Sequence, residues 1–160
     1  GSASSGLKII KNKIQLKEFS SKKYILQQKI LGQEFHMDIL NNLDGKYISH
    51  CSKKKLKMRS GETDKAKIVI DSKLQLVAFK LSKILGHVGN LDCDLIIDSN
   101  GNVYILDLNP RFGGGYPFTH LSGLNYLEAI IKMVIKSPYQ LPKNPKLITA
   151  FKGVDLTWRI

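Results

Sequence analysis

The chain has 160 residues, of which 42% are apolar and 24% charged. That is enough apolar material for one domain with a buried core, and it excludes a disordered chain. No apolar run approaches the roughly 20 residues that cross a bilayer, and no basic segment followed by an apolar one opens the sequence. Two cysteines, Cys51 and Cys93, are too few for a disulfide framework or a metal cluster. They read as buried or half-buried thiols of a reducing compartment, and a cytoplasmic location is the expectation.

The formal net charge is +12, from 22 lysines and only three arginines, Arg59, Arg111 and Arg159, against 13 acids. Residues 1–80 carry +10 of it and residues 81–160 only +2. A basic first half suits a polyphosphate or a nucleic acid. The plainer reading is composition bias, because Lys, Ile and Asn are all abundant. An arginine cluster and an aromatic stacking stripe, the usual tools of nucleic-acid binding, are missing from the sequence.

In chain order, Gly1–Gly6 is a small-residue loop, either a linker or a cradle of backbone N–H groups for phosphate. Leu7–Ile10 reads as a strand and Lys13–Phe19 as a short helix. Tyr24–Gln28 and Phe35–Leu40 read as strands. Asn42-Leu43-Asp44-Gly45 signals a turn into a hairpin strand over Lys46–Cys51. Lys53–Lys57 is a charge run expected in a solvated loop, followed by polar loop residues Arg59–Thr63. Ala66–Ile70 reads as a strand. Ser72 is placed to cap a helix over Lys73–Leu85, with Leu74, Val77, Ala78, Leu81 and Leu85 inward and Gly86 as its stop. Leu91–Ile97 and Val103–Leu108 form a hairpin across Asp98–Asn102. After Pro110 comes a loop with Gly113, Gly114 and Gly115. Asn125–Lys136 is an amphipathic helix with Leu127, Ile130, Ile131, Val134 and Ile135 inward. A last strand is expected near Leu147–Lys152. No internal repeat is visible.

The strongest chemical signal is Asp107-Leu108-Asn109-Pro110-Arg111 at a strand end. Residues two apart on a strand share a face, so Asp107 and Asn109 point the same way, roughly 7 Å apart. A four-residue loop, Ser99–Asn102, would pair Asp98 with Val103 and therefore Asp94 with Asp107. Like charges directly opposite one another destabilise a sheet, and a divalent cation removes that penalty. Oxygen ligands without His or Cys suit Mg²⁺ or Mn²⁺ shared with substrate phosphates. Arg111 lies two residues on, in reach of a phosphate or carboxylate. The alternative is a solvated edge hairpin whose acids merely aid solubility.

The stretch Asp94–Gly115, ending Leu-Asp-Leu-Asn-Pro-Arg-Phe-Gly-Gly-Gly-Tyr-Pro, resembles the C-terminal metal-binding hairpin of ATP-grasp enzymes, closest to the carbamoyl-phosphate-synthase-like branch. Gln27–Phe35 resembles that family's hinge, Arg59–Lys65 its central loop and Gly1–Gly6 its phosphate-covering loop. The motifs stand in the family's order over nearly the whole chain. The resemblance implies an α+β fold, the ATP-grasp fold, with an antiparallel sheet packed with helices. It implies that residues 1–26 are the remnant of a small ATP-lid subdomain and that 27–160 are the large C-terminal subdomain. Family members also carry an N-terminal α/β domain ahead of the glycine-rich loop. That domain is absent here, so the chain reads as a fragment of a longer enzyme.

The resemblance further implies that Asp94, Asp107 and Asn109 bind Mg²⁺ (or Mn²⁺) bridging the phosphates of ATP. Glu34 would take the ribose hydroxyls, and the hinge around Gln28 and Ile30, with Gln27 beside it, the adenine edge. Ser2, Ser4 and Ser5 would close over the phosphates. Arg111 would stabilise the transferring phosphoryl group, with Arg59 and Lys65 as weaker phosphate contacts. The implied activity is ATP-dependent joining of a small-molecule carboxylate to an amine. Asp107 departs from the family's usual Glu by one methylene, which shifts metal geometry without removing the ligand. Two further readings stand beside this one: a non-catalytic nucleotide-binding fragment that self-associates through an unpaired sheet edge, and, more distantly, a basic nucleic-acid-binding module. Among other residues, His36, His50, His87 and His120 read as ordinary surface or loop histidines, with His120 the best placed for chemistry. Asp38 reads as a solvent-facing strand acid, Asp92 as an outer partner of the metal site and Cys93 as an inert core thiol.

Overall fold

A computed structural model describes residues 8–18, 25–59 and 61–153. The chain divides into two compact units, Gly1–Ile30 and Leu31–Ile160. In the first, α1 (Lys13–Glu18) is a short helix whose entry is capped by Asn12, its Oδ1 accepting from Gln15 N–H at 2.9 Å. The expected strands at 7–10 and 24–28 do not form over Lys8–Ile10 and Ile25–Gln28, where the backbone is irregular. β-branched residues favour extended backbone, but that preference alone does not make a strand.

The second unit is an antiparallel six-stranded sheet. In chain order its elements are β1 (Gly32–Asn41), β2 (Tyr47–Arg59), β3 (Glu62–Val69), α2 (Ser72–Leu85), β4 (Gly89–Asp98), β5 (Val103–Asn109), α3 (Tyr116–Leu121), α4 (Tyr126–Val134) and β6 (Thr149–Phe151). The strands lie in the order β5-β4-β1-β2-β3-β6, every neighbouring pair antiparallel. The first hairpin turns at Asn42, whose Oδ1 accepts from the N–H groups of Asp44 and Lys46 at 3.0 and 2.8 Å. β2 then runs through Lys53–Lys57, so the charge run is a strand and not a solvated loop. The reason is partner chemistry: its alternate lysines face acids on neighbouring strands, as described below.

The two faces of the sheet carry separate cores. On one, Met37, Ile39, Leu91, Cys93 and Leu95 pack against Leu74 and Ala78 of α2. On the other, Leu40, Cys51, Ala66 and Ile68 pack against Tyr116, Phe118, Tyr126 and Ala129 from α3 and α4. Strand alternation sorts them, odd residues of β1 to the first face and even ones to the second. The α2 helix is capped by Asp71, whose carboxylate accepts from Leu74 N–H at 3.0 Å, so the cap lies one residue before Ser72. It stops, as its sequence predicts, at a left-handed Gly86.

The α4 helix corrects the expected inward face. Leu127, Ile131, Val134 and Ile135 are exposed, while Tyr126 and Ala129 are buried, with Ile130 and Met133 packed beside them. Positions 126, 129, 130 and 133 form as good a helical stripe as 127, 131, 134 and 135. Periodicity alone ties, and the sheet takes the face with the aromatic ring. α3 was not legible as a helix because three glycines precede it, although Pro117 in its first turn is a start signal.

Candidate functional site

The site is a band of polar side chains across the α3/α4 face of the sheet, contributed two apart by each of four strands. Strand β1 supplies Glu34, His36 and Asp38. On one side of it Lys53 of β2 pairs with His36, and on the other Asp94 and Asp92 of β4 pair with His36 and Asp38. Beyond β4, Asp107 and Asn109 of β5 stand opposite Asp94 and Asp92. Period-two side chains on adjacent strands necessarily converge on one surface.

Asp94 and Asp107 are indeed opposite one another, but by a different route than loop length predicts. The turn is shorter: Asp98 N–H bonds Asn102 C=O at 3.1 Å around a positive-φ Gly101, so Ile97, not Asp98, pairs with Val103. A β-bulge between Asp94 and Leu95 then inserts Leu106 and restores the Asp94–Asp107 pair. Their repulsion is relieved within the protein. Lys55 Nζ lies 2.9 Å from Asp94 Oδ1 and 3.6 Å from Glu34 Oε2. Asp107 accepts from Leu108 N–H at 3.0 Å and from Asn109 Nδ2 at 2.8 Å. Carboxylate repulsion therefore does not by itself require a metal here. The remaining donors at the hairpin are all oxygens, on residues that are half-buried or exposed, and that set fits Mg²⁺ or Mn²⁺.

Behind the hairpin lies a buried charge lattice. Lys53, fully buried, donates to Asp38 Oδ2, to Thr119 Oγ1 at 2.6 Å and to Gly115 C=O at 3.4 Å. Thr119 Oγ1 and Asn90 Nδ2 also donate to Asp38. Burial pushes the Asp38 carboxyl upward, but the charges of Lys53 and His36 and the hydrogen bonds from Lys53 and Thr119 outweigh it and hold it below the ordinary carboxylate range. His36, also buried, donates through Nε2 to Asp92 Oδ1. The second Asp92 oxygen accepts from Arg111 Nη1 at 2.8 Å. Burial raises Asp92 too, and the His36 and Arg111 contacts bring it below its usual value. Asn90 Nδ2 reaches the Arg111 carbonyl at 3.2 Å. The guanidinium and the backbone of Arg111 are thus both fixed from below, while the side chain itself stays 57% exposed.

The glycine loop closes over this lattice. A Cβ on Gly113 would overlap the Asp92 carboxylate, and one on Gly115 would overlap the His36 ring. Gly114 is different, since its Cβ would come only within 3.2 Å of the flexible Glu62 carboxylate.

Among the residues singled out from the sequence, Asp94, Asp107, Asn109 and Glu34 are brought together, with Arg111 linked through Asp92. Arg59 instead pairs with Asp64 and donates to Lys152 C=O at 3.4 Å, and Lys65 is exposed on β3. No described hydrogen bond or ion pair joins either to the band. Gln27, Gln28 and Ile30 belong to the first unit, outside its helix, with both glutamines exposed. Ser2, Ser4 and Ser5 lie outside the described residues. Cys93 is buried on the opposite face as expected, its thiol pushed up to about 12 by burial, then by Asp94, Asp92 and Asp107.

The family model described as ATP-grasp in the biosynthetic pathway with Ter operon matches residues 20–158. The chain belongs to the ATP-grasp family. No curated protein sequence matches it. Biotin carboxylase from Campylobacter jejuni, solved as a beta-gamma-ATP complex, superposes with a TM-score of 0.60 at 17% identity, covering 76% of this chain and 29% of that one. N5-carboxyaminoimidazole synthetase from Staphylococcus aureus gives 0.58 at 17% identity over 86% of this chain and 40% of that one. Rhizobium etli pyruvate carboxylase gives 0.53 at 19% identity, covering 64% and 10%. The chain spans less than half the length of these structures, and the likeness shows the shared fold.

Within the ATP-grasp sheet, sequence reasoning missed His36, Asp38, Lys53, Lys55, Asn90 and Thr119. His36 is a buried member of the site, whereas His120, the histidine expected to matter most, is exposed. Asp38 is fully buried and not solvent-facing. The signal was present as matching alternation: Glu34-x-His36-x-Asp38 on one strand of a hairpin and Lys53-x-Lys55 on the other. Asp92, read as an outer partner, contacts Arg111 and His36.

Proposed function

We propose that this chain is the nucleotide- and metal-binding part of an ATP-grasp ligase, similar to the carbamoyl-phosphate-synthase-like branch. It would use MgATP to activate a small-molecule carboxylate for attack by an amine. The observation that carries the reading is the oxygen-lined Asp94/Asp107/Asn109 hairpin with Arg111 anchored beside it. Asp94, Asp107 and Asn109 would hold Mg²⁺ or Mn²⁺, which supplies charge neutralisation of the phosphates. Glu34 would accept from the ribose hydroxyls. Gln27, Gln28 and Ile30 are proposed for adenine, and Ser2, Ser4 and Ser5 for the phosphates. Arg59 and Lys65 have the weaker case, because Arg59 already has a carboxylate partner.

In the proposed reaction the substrate carboxylate oxygen attacks the γ-phosphorus and the bond to ADP breaks. The amine then attacks the acyl carbon of the resulting acyl phosphate, and inorganic phosphate leaves. Arg111 presents a fixed guanidinium to the charge that builds on the transferring group, with no reorganisation needed at that moment. Asp92 and His36 keep it in place. No protein nucleophile is required, in keeping with two cysteines that are both buried.

The test is ADP release from MgATP by the full-length protein over a panel of carboxylates and amines, with Arg111→Ala beside wild type. The reading expects turnover that requires both substrates, and a loss of about 10²–10³ in kcat in the variant with little change in nucleotide affinity. Equal turnover in Arg111→Ala would contradict it.

A further inference from the structure

Lys55 is a charged group at the metal hairpin that the proposed reaction leaves without a task. It comes from the middle of β2, its side chain is 7% exposed, and its ammonium lies between Asp94 at 2.9 Å and Glu34 at 3.6 Å. These two acids carry two separate proposed roles, one toward the metal and one toward the nucleotide. A single buried cation therefore touches both halves of the expected ligand.

The charge balance gives Lys55 a consequence. A divalent cation binding Asp94 would meet a positive charge already at that carboxylate, inside a partly desolvated site where like charges repel strongly. A buried ammonium leaves its acids only for another anionic partner. Phosphate oxygens are such a partner. Asp107 offers no equivalent obstacle, since its contacts, Leu108 N–H and the neutral Asn109 amide, carry no net charge.

We propose that Lys55 is a built-in competitor of the divalent cation at Asp94, which suppresses binding of the metal alone and makes metal and nucleotide bind cooperatively. The proposal rests on the reading of the hairpin as a metal site. By linkage, whatever factor the nucleotide adds to metal affinity, the metal adds to nucleotide affinity. The site would then select the metal–nucleotide complex over the free ion.

The experiment is titration of the full-length protein with Mn²⁺, free ion followed by electron paramagnetic resonance, with and without ADP. The proteins are wild type, Lys55→Met, Lys55→Gln, Lys55→Arg, and Lys55→Met combined with Asp107→Ala. Without nucleotide, Lys55→Met and Lys55→Gln are expected to bind Mn²⁺ at least about tenfold more tightly than wild type. The gain from ADP should shrink correspondingly, and Lys55→Arg should behave as wild type. Thermal unfolding gives a second readout, with Mn²⁺ stabilising the Met and Gln variants more than wild type. If either folded neutral variant binds Mn²⁺ no more tightly than wild type, while Asp107→Ala still weakens binding, the Lys55 proposal falls and the metal reading stands. If Mn²⁺ binding is absent or indifferent to Asp107→Ala, the metal reading falls and this proposal with it.

Discussion

At the residue scale, the Asp38–Lys53 pair decides how much the site costs and how it responds to acid. Both groups are fully buried and fully partnered, so removing one strands the other. Asp38→Ala should lower stability by about 3–5 kcal/mol in urea unfolding, whereas replacing both partners by apolar residues of similar volume should cost much less. Because the Asp38 and Asp92 carboxyls sit below their ordinary values, their contribution is fully present above the unfolded carboxylate value near about 4. It is lost as pH falls through the lowered folded values. Stability measured from pH 6 downward should therefore hold until about pH 4 and then drop, with a shallower drop in Asp38→Asn. The glycines make a second prediction. Gly113→Ala and Gly115→Ala each place a methyl group into the Asp92–His36 pair and should cost about 1–3 kcal/mol. Gly114→Ala faces a movable carboxylate at 3.2 Å and should cost less than about 1 kcal/mol in the same assay.

At the scale of elements, α4 leaves an apolar stripe uncovered in this unit, with Ile131, Val134 and Ile135 each more than half exposed. Leu127→Gln with Ile131→Lys should leave thermal stability within about 0.5 kcal/mol per substitution. Sedimentation velocity should show less concentration-dependent self-association than wild type. A stability loss like that of a core truncation would mean that this face is packed after all. The same helix marks the boundary of what the sequence discloses. Its existence is legible, because apolar spacing is a local property, while Asn125, expected as its first helical residue, serves as its cap. Its buried face is not legible, because two stripes of equal periodicity compete and only the sheet arbitrates. The β4–β5 hairpin is legible from alternation and turn residues, but its Asp94–Asp107 pair arises only because the bulge at Leu106, which no residue type demands, offsets a turn one residue shorter than its sequence predicts. Lys53–Lys57 misleads for a related reason. A run of lysines reads as solvated unless the acids opposite are aligned with it, and that alignment depends on the register of the whole β1–β2 hairpin.

At the scale of the molecule, one sheet keeps its two faces for different purposes. The α2 side is an apolar core. The α3/α4 side gives part of its area to charge, balanced residue against residue: Lys53 with Asp38, Lys55 with Asp94, Arg111 with Asp92. Two lysines of the basic first half are thus spent inside the protein rather than offered to a polyanion. That balance leaves Asp94, Asp107 and Asn109 as an oxygen-lined surface with a fixed arginine next to it, which is the central claim. Its most direct test is calorimetric titration of this chain with a non-hydrolysable ATP analogue, with and without Mg²⁺, alongside the Asp107→Ala variant. Binding is expected to depend on Mg²⁺ and to be lost or strongly weakened in the variant. Binding of the same strength in both proteins, indifferent to Mg²⁺, would contradict it.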